Sequence, residues 1–532
     1  MSGQGITNWR YQPAEHTINS DNAGSLAVKW ATHLAGDISA TPAVVDGVAY
    51  VPDWGGKLSA VDTQTGSIIW QSSVKDLAGA SYPLVEDADS SSPTYQTVIP
   101  DTHNPVVSRT SPAVSGNTVL IGTQTMRSAT MGDGAQLLAV DKTNGNLLWQ
   151  TKLDGHPLSI ETQSPTIYNG VIYVGVASIE ENGVDCGDPG DTACYFRGSL
   201  QALSLATGQV LWKTYTITQA QQQAGYSGAA VWGSSPAIDV KRNAVYIGTG
   251  NNYSASAATS NCVNAANGDP QTIINCEATN GVGNNVDAIM SLDLTSGAIN
   301  WVSKLQGFDA WTTACIFLPT ACPSPNGPDF DFGQGPMLIP TKTGDIVAAG
   351  QKSGIMWGLN AATGAPVWRT SVGPGSSLGG MEWGSATDGS RIYFAVANFG
   401  FPTGQSYDMV NPPKGTPASS NAGSFGAINA TNGKIIWQAA DPNGSIDLGA
   451  VSVANGVLYT SSMGSLFAPV DQPTMFAFAA GNGKQLWQYT SGGSVNAGPA
   501  IVDGTVYWGS GYAHLGFGGP NDKLFAFSVP KK

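Results

Sequence analysis

LSAVDTQTGSIIW (58–70) reads as a strand alternating apolar and small residues, a polar turn closed by Gly66, and a second strand ending in Trp70. A Thr-Gly or Asn-Gly turn can place its glycine at positive φ, which is what a tight hairpin requires. The pattern returns as LLAVDKTNGNLLW (137–149), LQALSLATGQVLW (200–212), IMSLDLTSGAINW (289–301), MWGLNAATGAPVW (356–368), FGAINATNGKIIW (425–437) and MFAFAAGNGKQLW (475–487). An eighth half-copy, LFAFSVP (524–530), ends the chain, while SLAVKW near the start brings in Trp30 without a hairpin before it. The two termini therefore complete one unit.

A second element precedes each hairpin, with a small-residue or Pro entry, a turn and an apolar strand. Its copies begin as TPAVVDGVAYV (41), SPAVSGNTVLIG (111), SPTIYNGVIYVG (164), SPAIDVKRNAVYIG (235), GPMLIPTKTGDIVAAG (335), WGSATDGSRIYFA (383), GAVSVANGVLYTS (449) and GPAIVDGTVYWG (498). Units of four short antiparallel strands repeated eight times predict an all-β, eight-bladed β-propeller, a single domain over residues 1–532. The N-terminal strand closes the last blade. The repeated tryptophans are read as interblade packing, with each indole N–H paired locally.

The early blades are interrupted by long insertions, and the cysteines fall in them as three local pairs: Cys186 with Cys194, Cys262 with Cys276, and Cys315 with Cys322. Nearest-neighbour disulfides are expected, each stapling a short excursion. They imply an oxidising compartment, periplasmic or extracellular. The start, MSGQGITNWRYQ, carries no export signal, and a Met before Ser-Gly-Gln-Gly suits a chain from which such a signal has been removed.

Composition excludes several roles. Charged residues make up 11%, with 23 Lys+Arg against 37 Asp+Glu and a net charge of −14, and no basic cluster tracks a phosphate backbone. Nucleic acid is not an expected partner. No apolar run approaches the roughly 20 residues needed to span a bilayer. Nucleotide-binding glycine motifs are absent, the five histidines show no ligand spacing, and no C-x-x-C or C-x-x-C-H occurs.

The interblade segments NWRYQPAEHTINSDNAGSLAVKW (8–30), FRGSLQAL (196), YIGTGNNYS (246), GPDFDFG (327) and GGMEWGSATDG (379), together with the tryptophan repeat, resemble the pyrroloquinoline quinone (PQQ)-dependent alcohol dehydrogenases, most of all their polyvinyl alcohol branch. The repeat alone also resembles that of non-catalytic scaffold propellers, which stands as the alternative. The resemblance implies a hard cation, Ca²⁺ or a lanthanide, held by oxygen ligands. Glu180 and Asn251 match ligand positions, with Glu181 adjacent to the first. Asp329 matches the catalytic base and a ligand, and Asp331 matches the further acid of lanthanide-using and some Ca²⁺-using relatives. Asp309, in GFDAW, is the rival base.

For the cofactor the resemblance places Arg109 and Thr162 on the PQQ carboxylates, Trp232 parallel to its ring, Lys352 near the quinone oxygens and Asn398 at a further polar contact. The vicinal cysteines that many relatives carry are replaced here by His103-Asn104. The implied activity is oxidation of secondary alcohols, polymeric ones included, to ketones by hydride transfer to the quinone. Sugar, mycotoxin or small primary alcohols are alternative substrates. Since the chain carries no haem motif, electrons leave to an external acceptor such as cytochrome c.

Overall fold

Eight sheets, each built on four antiparallel strands and two of them extended by a short fifth, succeed one another along the chain in the computed structural model, which describes residues 5–80, 84–86, 96, 98–100, 106–125, 134–182, 195–400, 404–466, 470–514 and 517–530. Blade 1 runs through Ala43–Val45, Val48–Pro52, Lys57–Asp62 and Ile68–Ser73. Blades 2 to 7 follow over 113–152, 166–215, 237–304, 337–371, 386–440 and 452–489. Blade 8 takes three strands from 500–528 and its fourth from Ala27–His33, which pairs antiparallel with Lys523–Ser528. The terminal closure expected from the half-copies is therefore present. The first strands of successive blades neighbour one another around a common axis, and that axis is where the candidate site lies.

The repeat holds the ring together in a literal way. Each repeat tryptophan donates its indole N–H to a carbonyl of the next blade: Trp70 to Lys142, Trp149 to Leu205, Trp212 to Leu294, Trp301 to Ala361, Trp368 to Ala430 and Trp437 to Ala480, at 3.0–3.3 Å. Trp487 to Leu26 (2.9 Å) and Trp30 to Thr63 (3.0 Å) complete the circle. The turn glycine is needed because it lies on the preceding blade's indole. At Gly483 φ is +70°, and a Cβ would stand 2.3 Å from the Trp437 ring. Eight such bonds, each worth about 0.5–1.5 kcal/mol net, add to the apolar burial between sheets.

Residues 5–12 strap the propeller from one side. Ile238 of blade 4 donates to Ile6, Leu338 of blade 5 to Thr7, Thr387 of blade 6 to Trp9, and Val453 of blade 7 to Arg10. Asn8 spends its amide on the carbonyls of Ser235, Gly335 and Pro336. The fully buried Arg10 reaches Val451 through Nε (2.8 Å) and Thr41 of blade 1 through Nη2 (3.0 Å).

The insertion after blade 4's second strand is a helix pair rather than a plain loop. Ala257–Ala265 is capped by Ser256, Pro270–Asn280 by Asp269, and the Cys262–Cys276 disulfide joins them. Cys315–Cys322 closes the second insertion. The Cys186–Cys194 pairing and the His103-Asn104 position lie outside the described residues. No helix among the described residues is long and apolar enough to cross a membrane.

Candidate active site

In each blade the start of the first strand and the end of the second lie at the same edge of the sheet, and the candidate residues come from these positions. Arg109, Thr162, Trp232 and Asp329 to Asp331 precede first strands, whereas Glu180, Glu181, Asn251 and Lys352 follow second strands. Antiparallel pairing thus delivers residues far apart in sequence to one end of the hub.

At that end Glu181, Asp329 and Asp331 each present a carboxylate oxygen within 4.8 Å of the others. Lys352 lies among them, its Nζ 3.0 Å from Asp329 Oδ1 and 3.4 Å from Asp331 Oδ2. Trp232 donates its indole N–H to Asp331 Oδ2 (2.9 Å), and the Lys352 ammonium stands 5.4 Å from the Trp232 ring centre. The Asn251 backbone N–H donates to Asp331 Oδ1 at 2.5 Å. Its side-chain N–H groups serve the carbonyls of Asn252 and Trp311, so the amide oxygen is the atom left to bind a ligand. Thr162 approaches the Trp232 carbonyl (3.4 Å), and its side chain shares a small cavity with Arg109 and Trp383. The Arg109 guanidinium lies 4.9 Å from the Trp383 ring centre and 5.7 Å from that of Trp54.

One sequence-derived position lands elsewhere. The strand Val171–Ser178 runs into a single 3₁₀ turn, Ile179–Asn182, in which neighbouring side chains diverge by about 120°. Glu181 faces the acids. Glu180 turns inward, where its Oε2 meets His156 Nε2 (3.1 Å) and the Phe196 N–H (3.0 Å). Asn398 is held by its own loops, donating to the carbonyls of Gln405 and Ala422 and accepting the Gln405 N–H. Asp309 is buried behind Asp329, accepting the N–H groups of Asp329 (Oδ1, 3.0 Å) and Phe330 (Oδ2, 2.7 Å). It thereby holds Asp329 at φ +62°.

Glu382 was not singled out by the sequence, although it stands in the quoted segment GGMEWGSATDG. It is buried, its Oε1 has no hydrogen-bond partner, and Lys352, Asp331 and Arg109 are its charged neighbours. An acid there, in a chain with so few charges, was the available signal.

The electrostatics follow from crowding acids in a dry place. Burial, then repulsion from Asp331, pushes Glu181 up to about 7 against the pull of Lys352. Burial likewise pushes Glu382 up to about 7. Asp329 stands well above the usual carboxylate range, chiefly through burial, with Lys352 opposing and Asp331 and Glu181 adding to the rise. Burial weakens the charge of Lys352, but Asp329, Asp331, Glu181 and Glu382 outweigh it and hold the ammonium well above its ordinary value. Asp329 Oδ2 has no partner. Three carboxylates, one of them with an orphaned buried oxygen, and an amide oxygen form a hard-oxygen donor set, so the residues fit a Ca²⁺-like or lanthanide-like cation.

A family model described as outer membrane protein assembly factor BamB (PQQ_2) matches residues 16–303 and 421–517. A polyvinylalcohol dehydrogenase of Pseudomonas sp. is 27% identical over 100% of this chain and 76% of its own length, and that of a Sphingopyxis species is 27% identical over 92% and 68%. In three dimensions the quinohemoprotein alcohol dehydrogenase of Comamonas testosteroni superposes with a TM-score of 0.67 at 18% identity, over 100% of this chain and 80% of that one. The chain belongs to the PQQ_2 propeller family, and over its whole length it is similar to quinoprotein alcohol dehydrogenases.

Proposed function

We propose that this chain is a PQQ-dependent dehydrogenase that oxidises secondary alcohols, polymeric ones of the polyvinyl type included, to ketones. The observation that carries the reading is the convergence of Glu181, Asp329 and Asp331 on one point beside Trp232, Lys352 and Arg109. Glu181, Asn251, Asp329 and Asp331 would hold the cation, Ca²⁺ or a lanthanide. Trp232 offers a flat apolar floor, Arg109 and Thr162 offer a cation and a hydroxyl to carboxylates, and Lys352 offers an ammonium. When bound, PQQ supplies the two-electron acceptor.

Asp329 takes the hydroxyl proton of the alcohol at its partnerless Oδ2, while Lys352 on Oδ1 favours the anion needed for that task. Asp309 serves by holding the Asp329 backbone, since both of its oxygens already accept N–H groups. Electrons leave to an external acceptor such as cytochrome c. The Cys262–Cys276 and Cys315–Cys322 disulfides favour a periplasmic or extracellular setting.

The family model's description favours a second reading, a protein-binding scaffold. Reconstitution separates the two. The purified chain, incubated with PQQ and Ca²⁺ or a lanthanide, is expected to retain the quinone and reduce an artificial dye with secondary alcohols, polyvinyl alcohol among them. A chain that retains no PQQ and reduces no dye is a scaffold.

A further inference from the structure

We propose that His156 is a positioning residue of the cation site, which with Glu180 fixes the turn that carries Glu181 into the acid cluster. The proposal rests on the reading above that Glu181 holds the cation.

The His156 ring is set before any ligand arrives. Its backbone N–H is bound by Asp154 Oδ1 (2.8 Å), and its carbonyl accepts the N–H (3.0 Å) and hydroxyl (2.7 Å) of Ser159. Tyr195 and Phe196 meet the ring edge-on at 4.8 and 5.8 Å. Nδ1 accepts the Leu158 N–H at 3.2 Å and so has no proton of its own. The ring proton therefore resides on Nε2, which donates to Glu180 Oε2 at 3.1 Å. Both side chains are nearly inaccessible, at 3% and 0% exposure, so solvent does not compete for this bond.

Glu180 is in turn tied to the same segment. Its N–H reaches Ser178 Oγ, whose hydroxyl donates to Leu158, and the Ile179 N–H donates to Leu158 as well. Residues 156–158 thus grip residues 178–180 by backbone and side chain together. The consequence falls on Glu181. Two adjacent glutamates at the end of one strand compete for a cation, and a single turn can face only one of them toward it. With Oε2 engaged by the His156 and Phe196 N–H groups, Glu180 is withdrawn from that competition. Loss of the imidazole would remove one of the two N–H groups that hold Glu180 Oε2, and rotation of Glu180 toward the cation would carry Glu181 away from Asp329 and Asp331.

The test is a terbium titration of the whole chain, read by luminescence sensitised through Trp232, with Ca²⁺ as competitor. Glu181→Gln should remove high-affinity binding. His156→Phe should raise the Tb³⁺ and Ca²⁺ dissociation constants by roughly 10- to 100-fold, the usual effect of losing a partner that orients a metal ligand. His156→Gln, whose Nε2 can donate from a similar place, should stay within about threefold of wild type, which a purely space-filling role would not predict. Glu180→Gln, which preserves shape if His156→Phe fails to fold, should weaken binding without abolishing it. Unchanged affinity in a folded His156→Phe chain overturns the proposal, as does a Glu180→Gln chain that loses the ion while Glu181→Gln keeps it. A wild-type chain that binds Tb³⁺ but no PQQ refutes the functional reading and leaves this one standing. A wild-type chain that binds no Tb³⁺ refutes both.

Discussion

Asp329→Asn removes a proton acceptor while preserving volume, which makes it the sharpest perturbation of the proposed chemistry. In the folded chain Asp329 is fully buried, Oδ1 lies 3.0 Å from Lys352 Nζ, and Oδ2 has no partner. The amide can still ligate a cation through oxygen, and Lys352 keeps Asp331 at 3.4 Å. What is lost is the base. Positioned general bases contribute about 10²- to 10⁴-fold, so kcat should fall by that factor, equivalent to about 3–5 kcal/mol in the barrier. The assay is dye reduction by the PQQ-loaded chain at saturating Ca²⁺, as a function of pH, with bound quinone followed by absorbance. A base must be ionised to act, so wild-type kcat falls as pH drops through the pKa of Asp329. Asp329→Asn should lose that limb while still retaining PQQ. Asp309→Asn should lower kcat through a loosened loop and keep the limb, because Asp329 remains. If Asp329→Asn keeps more than about a tenth of wild-type kcat, or if the limb disappears in Asp309→Asn instead, the assignment of the base is wrong.

Chelation should act with a definite pH sign. In the cation-free chain Glu181 and Glu382 are each raised from 4.5 to about 7, chiefly by burial, so the folded state binds protons more tightly than the unfolded one. Stability therefore falls as pH rises from about 4.5 to 7, and melts with EDTA should show a larger loss at pH 8 than at pH 5, restored by Ca²⁺ mainly at pH 8. Trp437→Phe removes the N–H bond to Ala480 and should cost about 1 kcal/mol in denaturant unfolding, whereas Gly483→Ala forces a methyl toward the same indole and should cost more. Asn8→Ala strands three carbonyls of the N-terminal strap and should destabilise the chain by about 1–3 kcal/mol, read by the same unfolding measurement. Cys315→Ser opens a short closed loop and should cost about 2 kcal/mol. Because Thr313, just before that loop, donates to the Glu181 carbonyl, this variant should also weaken Tb³⁺ binding.

The propeller was legible because each blade carries its own docking instruction: a tryptophan, a glycine at a fixed distance, and strands of period two. The same local code predicted SLAVKW (25–30) as the missing strand of blade 8, which in the structure spans Ala27–His33. Trp232, Asn251, Asp329, Asp331 and Lys352 were picked out by the family resemblance rather than by the repeat, and blade topology brings the strand ends that carry them together however far apart they lie in sequence. Side-chain direction at a strand end was not. Which of Glu180 and Glu181 faces the hub depends on where a strand yields to a 3₁₀ turn, a matter of one residue. His156 looked like a lone loop histidine because its partner is set by that same turn. The helix pair in the blade 4 insertion was unreadable for another reason: its helices bury few side chains, so little apolar periodicity marks them.

Charge economy separates enzyme from scaffold. In a chain where 11% of residues are charged, Glu181, Asp329, Asp331 and Glu382 gather around Lys352 with Arg109 as the further cation, and Asp309 and Asp287 lie behind them. Asp287 faces Asp309 and stands well above the usual range through burial and the repulsion of Asp309. Burying acids without matching positive charge costs several kcal/mol per group. A surface that only binds other proteins gains nothing from that cost at its hub, and apolar residues of similar volume would serve it better. Under the proposed function the acids would hold a divalent or trivalent ion, whose charge would offset theirs, lower the pKa of each and keep Asp329 ionised. The cluster by itself is costly to bury, which on the proposed function marks a site kept for chemistry rather than for stability.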